Sequence, residues 1–497
     1  MGAVSGAPPK PKSWLQGDRI PAWLISTIVH TILILTLVLF HVHAAKKGVV
    51  SLLATFDTPN TEQVLLQRIA IEREHLAMDS GQSAEIPSKI SVNDFAVAAP
   101  SLHLDLTLSA AKLTLVEPAD LASSFATASD SASNSIQLPA GGIYRRDAIS
   151  RSELGAKYGA TPDSEDAVEA ALKWLAEHQQ RDGSWSFDLS QEPCNGRCGN
   201  SHDSSGNEKP ATAATGLALL AFLGAGYSQH EGIYADNVRR GLYFLREVAK
   251  PTNFGFDLQS GSMYGHGIAM MALSEAMAMT RYLGKTDSDL FSLVNGGASF
   301  TMTAQHIKGG WRYVPGSPGD MTVTCWQVLS LLSAQHGGVM LRTDTLARAE
   351  AYVRSLSKPE IYEFGYQSTD PRRTTTAVGL CMLLYLGQSP KPSHFRFALD
   401  RLAESGPKFT DVYHDYYATL ALHHARHREW TAWHVPVREH LIKTQATAGH
   451  EAGSWHFKDT HGDVGGRLYT TAMSAMILEV YYRYLPLYQN RDEFKLD

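Results

Sequence analysis

A short turn signature, glycine followed by an aromatic residue, recurs five times between residues 178 and 455. It reads HQQRDGSW over 178–185, NFGF over 253–256, AQHIKGGW over 304–311, EFGY over 363–366 and TQATAGHEAGSW over 444–455. Each copy is flanked by helix-forming segments of apolar periodicity, so the repeating unit is a pair of helices about a Gly-aromatic turn, about 50–70 residues long. A lone helix pair leaves an apolar face uncovered. Only stacked neighbours cover it, which restricts this part of the chain to a closed or stacked helical array.

Six helix pairs are expected beyond residue 161. The outer members fall near 163–178, 234–249, 287–305, 343–356, 394–404 and 431–445, and the inner ones near 211–225, 264–282, 321–336, 374–387, 412–427 and 468–484. Inner segments such as AATGLALLAFLGAG and YTTAMSAMILEVYY are rich in small and uncharged residues, as suits helices packed on both sides, whereas EDAVEAALKWLAEH is amphipathic. The expected fold class is all-α, an α6/α6 toroid over 161–486, with the inner-helix N-termini opening at one end.

The residues before the toroid read differently. Between Pro21 and Ala45 there is no Asp, Glu, Lys or Arg, and such a run exceeds the roughly 20 residues needed to cross the hydrocarbon core. Its length favours one uncleaved transmembrane anchor over a signal peptide. The flanking charges, Lys10, Lys12 and Arg19 against Lys46 and Lys47, mildly favour an inside N-terminus. The expectation is a single-pass membrane protein with a 1–20 tail and a 21–45 anchor, its bulk periplasmic or extracellular. Residues 46–160 read as a flexible stalk that includes the low-complexity stretch SSFATASDSASNS, with a helical island at 61–78 and an alternating one at 102–108; residues 487–497 are a C-terminal tail. A net charge of −6 and the lack of basic stretches interleaved with aromatics exclude a nucleic-acid binder.

The turn signature resembles the QW-type repeat of the squalene cyclase and protein prenyltransferase β-subunit superfamily, Gln followed by Gly-x-Trp: Gln179/Gly183/Trp185, Gln305/Gly309/Trp311 and, more loosely, Gln445/Gly453/Trp455. The resemblance covers about residues 160–485 and implies one α/α barrel. Each Trp is expected to cap an outer-helix C-terminus, its indole N–H reaching a backbone carbonyl. The cyclases of the superfamily protonate their substrate from an Asp-x-Asp-Asp motif, which this chain lacks. The prenyltransferases hold zinc with an Asp-x-Cys pair ahead of a Trp and with a His in a Tyr-His segment. Here Asp320 stands six residues before Trp326 and Tyr413-His414 matches, but Thr322 occupies the Cys position. The zinc triad is incomplete, so no metal ligand is assigned and zinc remains a minor alternative. Asp320 and His414 then read as polar cavity groups, or as a helix cap and a core histidine.

What the resemblance implies is an apolar or isoprenoid ligand in a central cavity, whether or not catalysis follows. An enzyme of this kind would use Asp320 as acid or ion partner, with His414 and Asp415 as its polar neighbours. Trp326, Tyr413 and Tyr416 would face cationic character with their rings. Arg467 and Arg373, with Tyr469 and His266 at the same end, would meet an anionic head group, unless the arginines pair with nearby carboxylates in loop networks. Two other classes remain open: a non-catalytic scaffold binding protein or lipid, and a carbohydrate-active toroid with Asp320 and Asp415 flanking a sugar. No protein partner is specified. Finally, Cys194 and Cys198 in CNGRCGNSH favour a disulfide in an oxidising compartment over a metal site, and His423/His427 read as a solvated helix face.

Overall fold

The computed structural model describes residues 148–199, 211–258, 262–358, 360–458 and 462–483, besides Gly2. Every element below belongs to Leu115–Asp497, one of the two units into which the chain divides. The 21–45 segment, both islands of the stalk and the 487–497 tail lie outside the described residues. Among those described, no helix is long and apolar enough to cross a membrane.

A first helix, α1 (Ala148–Tyr158), lies within what the sequence assigns to the stalk. Its place is set by Arg151, which pairs with Glu165 at 2.6 Å and Glu169 at 2.8 Å and lies over the Tyr482 ring. Twelve helices follow as six pairs. The outer members are α2 (Pro162–Glu177), α4 (Ala235–Val248), α6 (Ser288–Thr303), α8 (Thr345–Ser355), α10 (Ser393–Glu404) and α12 (Trp430–Thr444). The inner ones are α3 (Ala211–Gly224), α5 (Met263–Tyr282), α7 (Met321–His336), α9 (Arg373–Tyr385), α11 (Val412–His424) and α13 (Gly462–Leu478, broken at Gly466), with a last turn α14 (Val480–Arg483).

Burial separates the two sets as their composition requires. In α4 only Val238, Gly241, Leu242 and Leu245 are buried, one stripe at i, i+3, i+4 and i+7. In α3 every residue from Thr212 to Gly224 is buried. Small residues allow that density: a side chain at Gly216 would collide with Ile268 and Ala269 of α5. Each inner helix packs on the next, from α3 through α5, α7, α9 and α11 to α13, and α13 returns to α3; outside, α12 packs on α2. The ring is closed.

One turn device recurs at three places around it. Trp185, Trp311 and Trp455 donate their indole N–H to the carbonyls of Leu175, Thr301 and Leu441 at 2.7–2.8 Å, each in the preceding outer helix. Their backbone N–H groups donate to Thr215, Thr324 and Thr471 of the following inner helix, each at 3.0 Å. Gln179, Gln305 and Gln445 hold the carbonyl of their own turn glycine and reach Asn237, Thr345 and Ala167 of the next outer helix at 2.8–3.0 Å. The turn glycines, 183, 309 and 453, all have φ near +95° and lie against a carbonyl of that neighbouring helix, where a Cβ would collide. The motif thus welds an outer helix, its inner partner and the next unit, and the expected role of the Trp is borne out. Two other units replace it with short hairpins: β1 (Lys250–Thr252) with β2 (Gly255–Asp257), and β3 (Ser357–Lys358) with β4 (Glu363–Phe364).

Candidate functional site

The inner-helix N-termini share a local plan that decides the fate of several expected site residues. At α7 and α11 the N-caps Asp320 and Asp411 accept the backbone N–H three residues on, at 2.8 and 2.9 Å. Four residues after each cap stands the acceptor for an N–H of the preceding turn. It is Thr324 after Asp320, Thr376 after Arg372, Asp415 after Asp411 and His266 after Ser262. Phe364 N–H donates to Thr376 at 3.1 Å, Phe409 N–H to Asp415 at 2.8 Å and Leu258 N–H to His266 Nδ1 at 3.1 Å. Asp415 and His266 therefore occupy a repeated structural position that threonine fills elsewhere. His266 also meets Thr301 at 2.8 Å, and burial pushes its pKa down to about 4, so it stays neutral.

Asp320 is fully buried, and burial raises its pKa. Its Oδ1 is spent on Val323 N–H and on the Thr322 hydroxyl at 3.0 Å, while Arg312 lies 3.8 Å from Oδ2. The residue at the prenyltransferase cysteine position thus caps the aspartate. Cys325, the remaining thiol on that helix, is buried and pushed up to about 12, so it stays protonated. Among the described residues, Asp320 and His414 belong to no group able to hold an ion together. A catalytic zinc of the prenyltransferase kind does not fit these residues.

Arg467 is likewise committed elsewhere. It donates to Gly199 O and Ser454 Oγ, both at 3.0 Å, and pairs with Glu451 at 3.1 Å. Asp320, His414 and Arg467 do lie at inner-helix N-termini, as expected, but no hydrogen bond or ion pair joins any two of them. The expected aromatic faces are packed against each other. Tyr413 OH accepts from Trp326 Nε1 and from Tyr264 OH, both at 3.0 Å, linking α5, α7 and α11 across the ring. Tyr416 and Tyr417 stack edge-on at 5.0 Å, and Tyr469 is buried on α13. Arg483 adds a second plug, paired with Glu275 at 3.0 Å and Glu479 at 3.1 Å with all three groups buried. His423 and His427, expected on a solvated face, are also buried, and His427 meets Asp400 at 3.0 Å; between them His424 is buried too and meets Tyr385 at 2.7 Å.

His414 is the exception. Its ring is fully buried and held by Nδ1 against Asp415 Oδ1 at 2.9 Å, and Asp415 is itself fixed by the N–H groups of Lys408 and Phe409, both at 2.8 Å. The other nitrogen, Nε2, has no hydrogen-bond partner among the described residues. His414 lines a cavity of about 350 Å³ between α9, α10 and α11, with Arg372, Arg373 and Arg401 around it and Pro371, Ala398 and Leu402 as apolar wall. Arg401 pairs with Glu363, and Arg373 is braced by Ser405 and Gly406 at 2.9 Å. Arg372 is the N-cap of α9, and its guanidinium, a donor only, gives the first N–H groups of that helix no side-chain acceptor. Three guanidiniums against one carboxylate, over a helix N-terminus, make this cavity electropositive.

The Cys194–Cys198 disulfide is not formed: both are free, buried thiols. Their sulfurs face imidazoles instead. Cys198 Sγ lies 3.3 Å from His178 Nε2 and 3.2 Å from His450 Nδ1, and Cys194 Sγ lies 3.8 Å from His450 Nδ1. His202, at the end of the CNGRCGNSH stretch, lies outside the described residues, and neither His178 nor His450 is among the expected site residues. A signal was present, since both precede a Gly-x-Trp turn in the two units that ring closure makes neighbours.

No family model matches the chain, and no curated protein matches it. Solved structures do. A variant of the type II terpene cyclase MstE from Scytonema, in complex with geranylgeranyl dihydroxybenzoate, is 12% identical over 66% of this chain and 98% of that one, with a TM-score of 0.40. Another variant, in complex with merosterolic acid A, is 13% identical over the same shares at 0.40. The apo form of MstE is 12% identical over 66% and 99%, with a TM-score of 0.27.

Proposed function

We propose that this chain is a membrane-tethered, extracytoplasmic binding module whose toroid takes an anionic group, a phosphate or carboxylate, in the His414 cavity at its rim. One observation carries the reading: a buried imidazole, its Nε2 without a partner among the described residues, belongs to the lining of a cavity that also holds three arginines. Leaving a buried polar atom unsatisfied costs about 1–3 kcal/mol, which a ligand oxygen accepting from or donating to Nε2 would recover. The uncharged segment at 21–45 supports the tether. The aromatic network and the buried Arg483 cluster support a filled centre over an open chamber. An isoprenoid remains compatible in one form, a prenyl phosphate docked by its head group with its tail along Pro371, Ala398 and Leu402.

Calorimetric titration of the toroid with inorganic phosphate, diphosphate and a prenyl diphosphate tests this reading. Binding should weaken about tenfold or more in Arg372→Glu, consistent with loss of a charge-assisted contact. The prenyl compound should bind more tightly than diphosphate only if the tail contributes. Absence of binding by wild type, or binding indifferent to both Arg372→Glu and His414→Gln, would overturn it.

A further inference from the structure

The geometry points to a structural zinc site formed by His178, Cys194, Cys198 and His450, which clasps the first helical unit to the last. Their four ligand atoms all lie within 4.8 Å of one another, and they form the one such group of three or more His, Cys, Asp or Glu side chains among the described residues. Tetrahedral zinc, with bonds of about 2.0–2.3 Å, sets its ligands about 3.3–3.8 Å apart. The three sulfur–nitrogen separations of 3.2, 3.3 and 3.8 Å lie at or close to that range. Two thiolates and two imidazoles form a donor set that selects zinc, and four protein ligands close the coordination sphere, which makes the site structural.

The surroundings are those of a ligand set already oriented. His178 Nδ1–H donates to the Trp174 carbonyl at 2.7 Å, so its lone pair is on Nε2, the nitrogen facing Cys198. The ring stacks on Trp174 at 3.9 Å, and Trp174 in turn donates its indole N–H to His450 O at 3.1 Å. Cys198 N–H points at Cys194 Sγ at 3.4 Å, as an amide does when it supports a thiolate. A single S–H on Cys198 cannot serve both imidazole nitrogens that face it. A cation at the centre serves all four groups at once.

Position in the fold gives the site its purpose. His178 is the C-cap of α2 and the cysteines lie between α2 and α3, in the first unit; His450 lies between α12 and α13, in the last. Some 250 residues separate Cys198 from His450. A metal bridging them closes a loop that spans most of the toroid, where loop-closure arguments give a clip a large effect. Arg467 and Glu451 tie the same two loops independently, through Gly199.

The test is the metal content of the full chain, purified without chelator under reducing conditions. Elemental analysis and native mass spectrometry should give one zinc per chain, and cobalt(II) substituted for it should show the spectrum of a tetrahedral sulfur–nitrogen site. Cys194 and Cys198 should resist alkylation until a strong chelator is added, and chelation should lower the melting temperature of wild type but not of Cys198→Ser or His450→Ala. A metal-free chain with both thiols freely reactive under zinc-replete conditions would overturn the proposal. So would a mass showing a Cys194–Cys198 disulfide in the folded, zinc-exposed protein. Should the variants fail to fold, the wild-type stoichiometry and cobalt spectrum still decide.

Discussion

The junction between the third and fourth units and the junction between the sixth and the first are built alike but face different tasks. At the former, Gln305 and Gly309 join α6 to α8, and the chain itself runs through the contact. At the latter, Gln445 and Gly453 make the same bonds to α2, yet some 280 residues separate the two sides. The closing junction accordingly carries more: the Cys/His cluster, the Arg467–Glu451 pair, and Arg438 and Trp430 bonded to the carbonyls of Gly159 and Tyr158. A repeat array closes on itself only if the junction without chain continuity is held by side chains as firmly as the others.

Paired substitutions at the two junctions put this to the test. Trp311→Ala and Trp455→Ala remove fully buried indoles and should each cost about 3–5 kcal/mol in denaturant unfolding. A markedly smaller cost at 455 would break the equivalence. Gly309→Ala and Gly453→Ala force a side chain into positive φ against a neighbouring carbonyl and should each cost about 1–3 kcal/mol or more. Gln305→Ala and Gln445→Ala each abandon two backbone carbonyls, for about 1–2 kcal/mol. A larger loss at 445 would mean that the closing junction leans on this bond more heavily than the interior one.

The last effect is pH-dependent. His266 and His424 are buried and held neutral, with folded-state pKa values below the ordinary imidazole value of 6.5. The unfolded chain then binds more protons, so their contribution is present above pH 6.5 and is lost as pH falls towards about 4 for His266. The slope is at most about 1.4 kcal/mol per pH unit for each group. Unfolding titrations between pH 7 and pH 5 should show it, and His266→Gln should flatten it.

Most of the toroid was legible because its repeat has a plain physical cause. A small, uncharged helix can be buried on all sides, an amphipathic one cannot, and the sequence alternates between them; the described ends of the pairs fall within a few residues of those expected. The site was less legible. Asp320 stands out in sequence through its prenyltransferase-like spacing to Trp326, and Asp415 and His266 as polar residues near inner-helix starts, but aligning the units on their N-caps puts Asp415 and His266 at the position of Thr324 and Thr376. Cys194 and Cys198 were paired with each other because their partners, His178 and His450, become neighbours only through ring closure. Arg151 and α1 carry no such signal, because their support comes from single side chains, Glu165 and Glu169 on the next helix and Tyr482 near the far end of the chain.

Hydrogen-exchange mass spectrometry, with and without chelator, tests closure most directly. The account predicts that helical amides around 167–175 and 437–445 exchange as slowly as those around 297–303 and 345–353 in the metal-loaded protein, and that chelation speeds only the first pair. Fast exchange at 167–175 and 437–445 in metal-loaded protein, with the interior junction protected, would contradict it and describe an open superhelix instead.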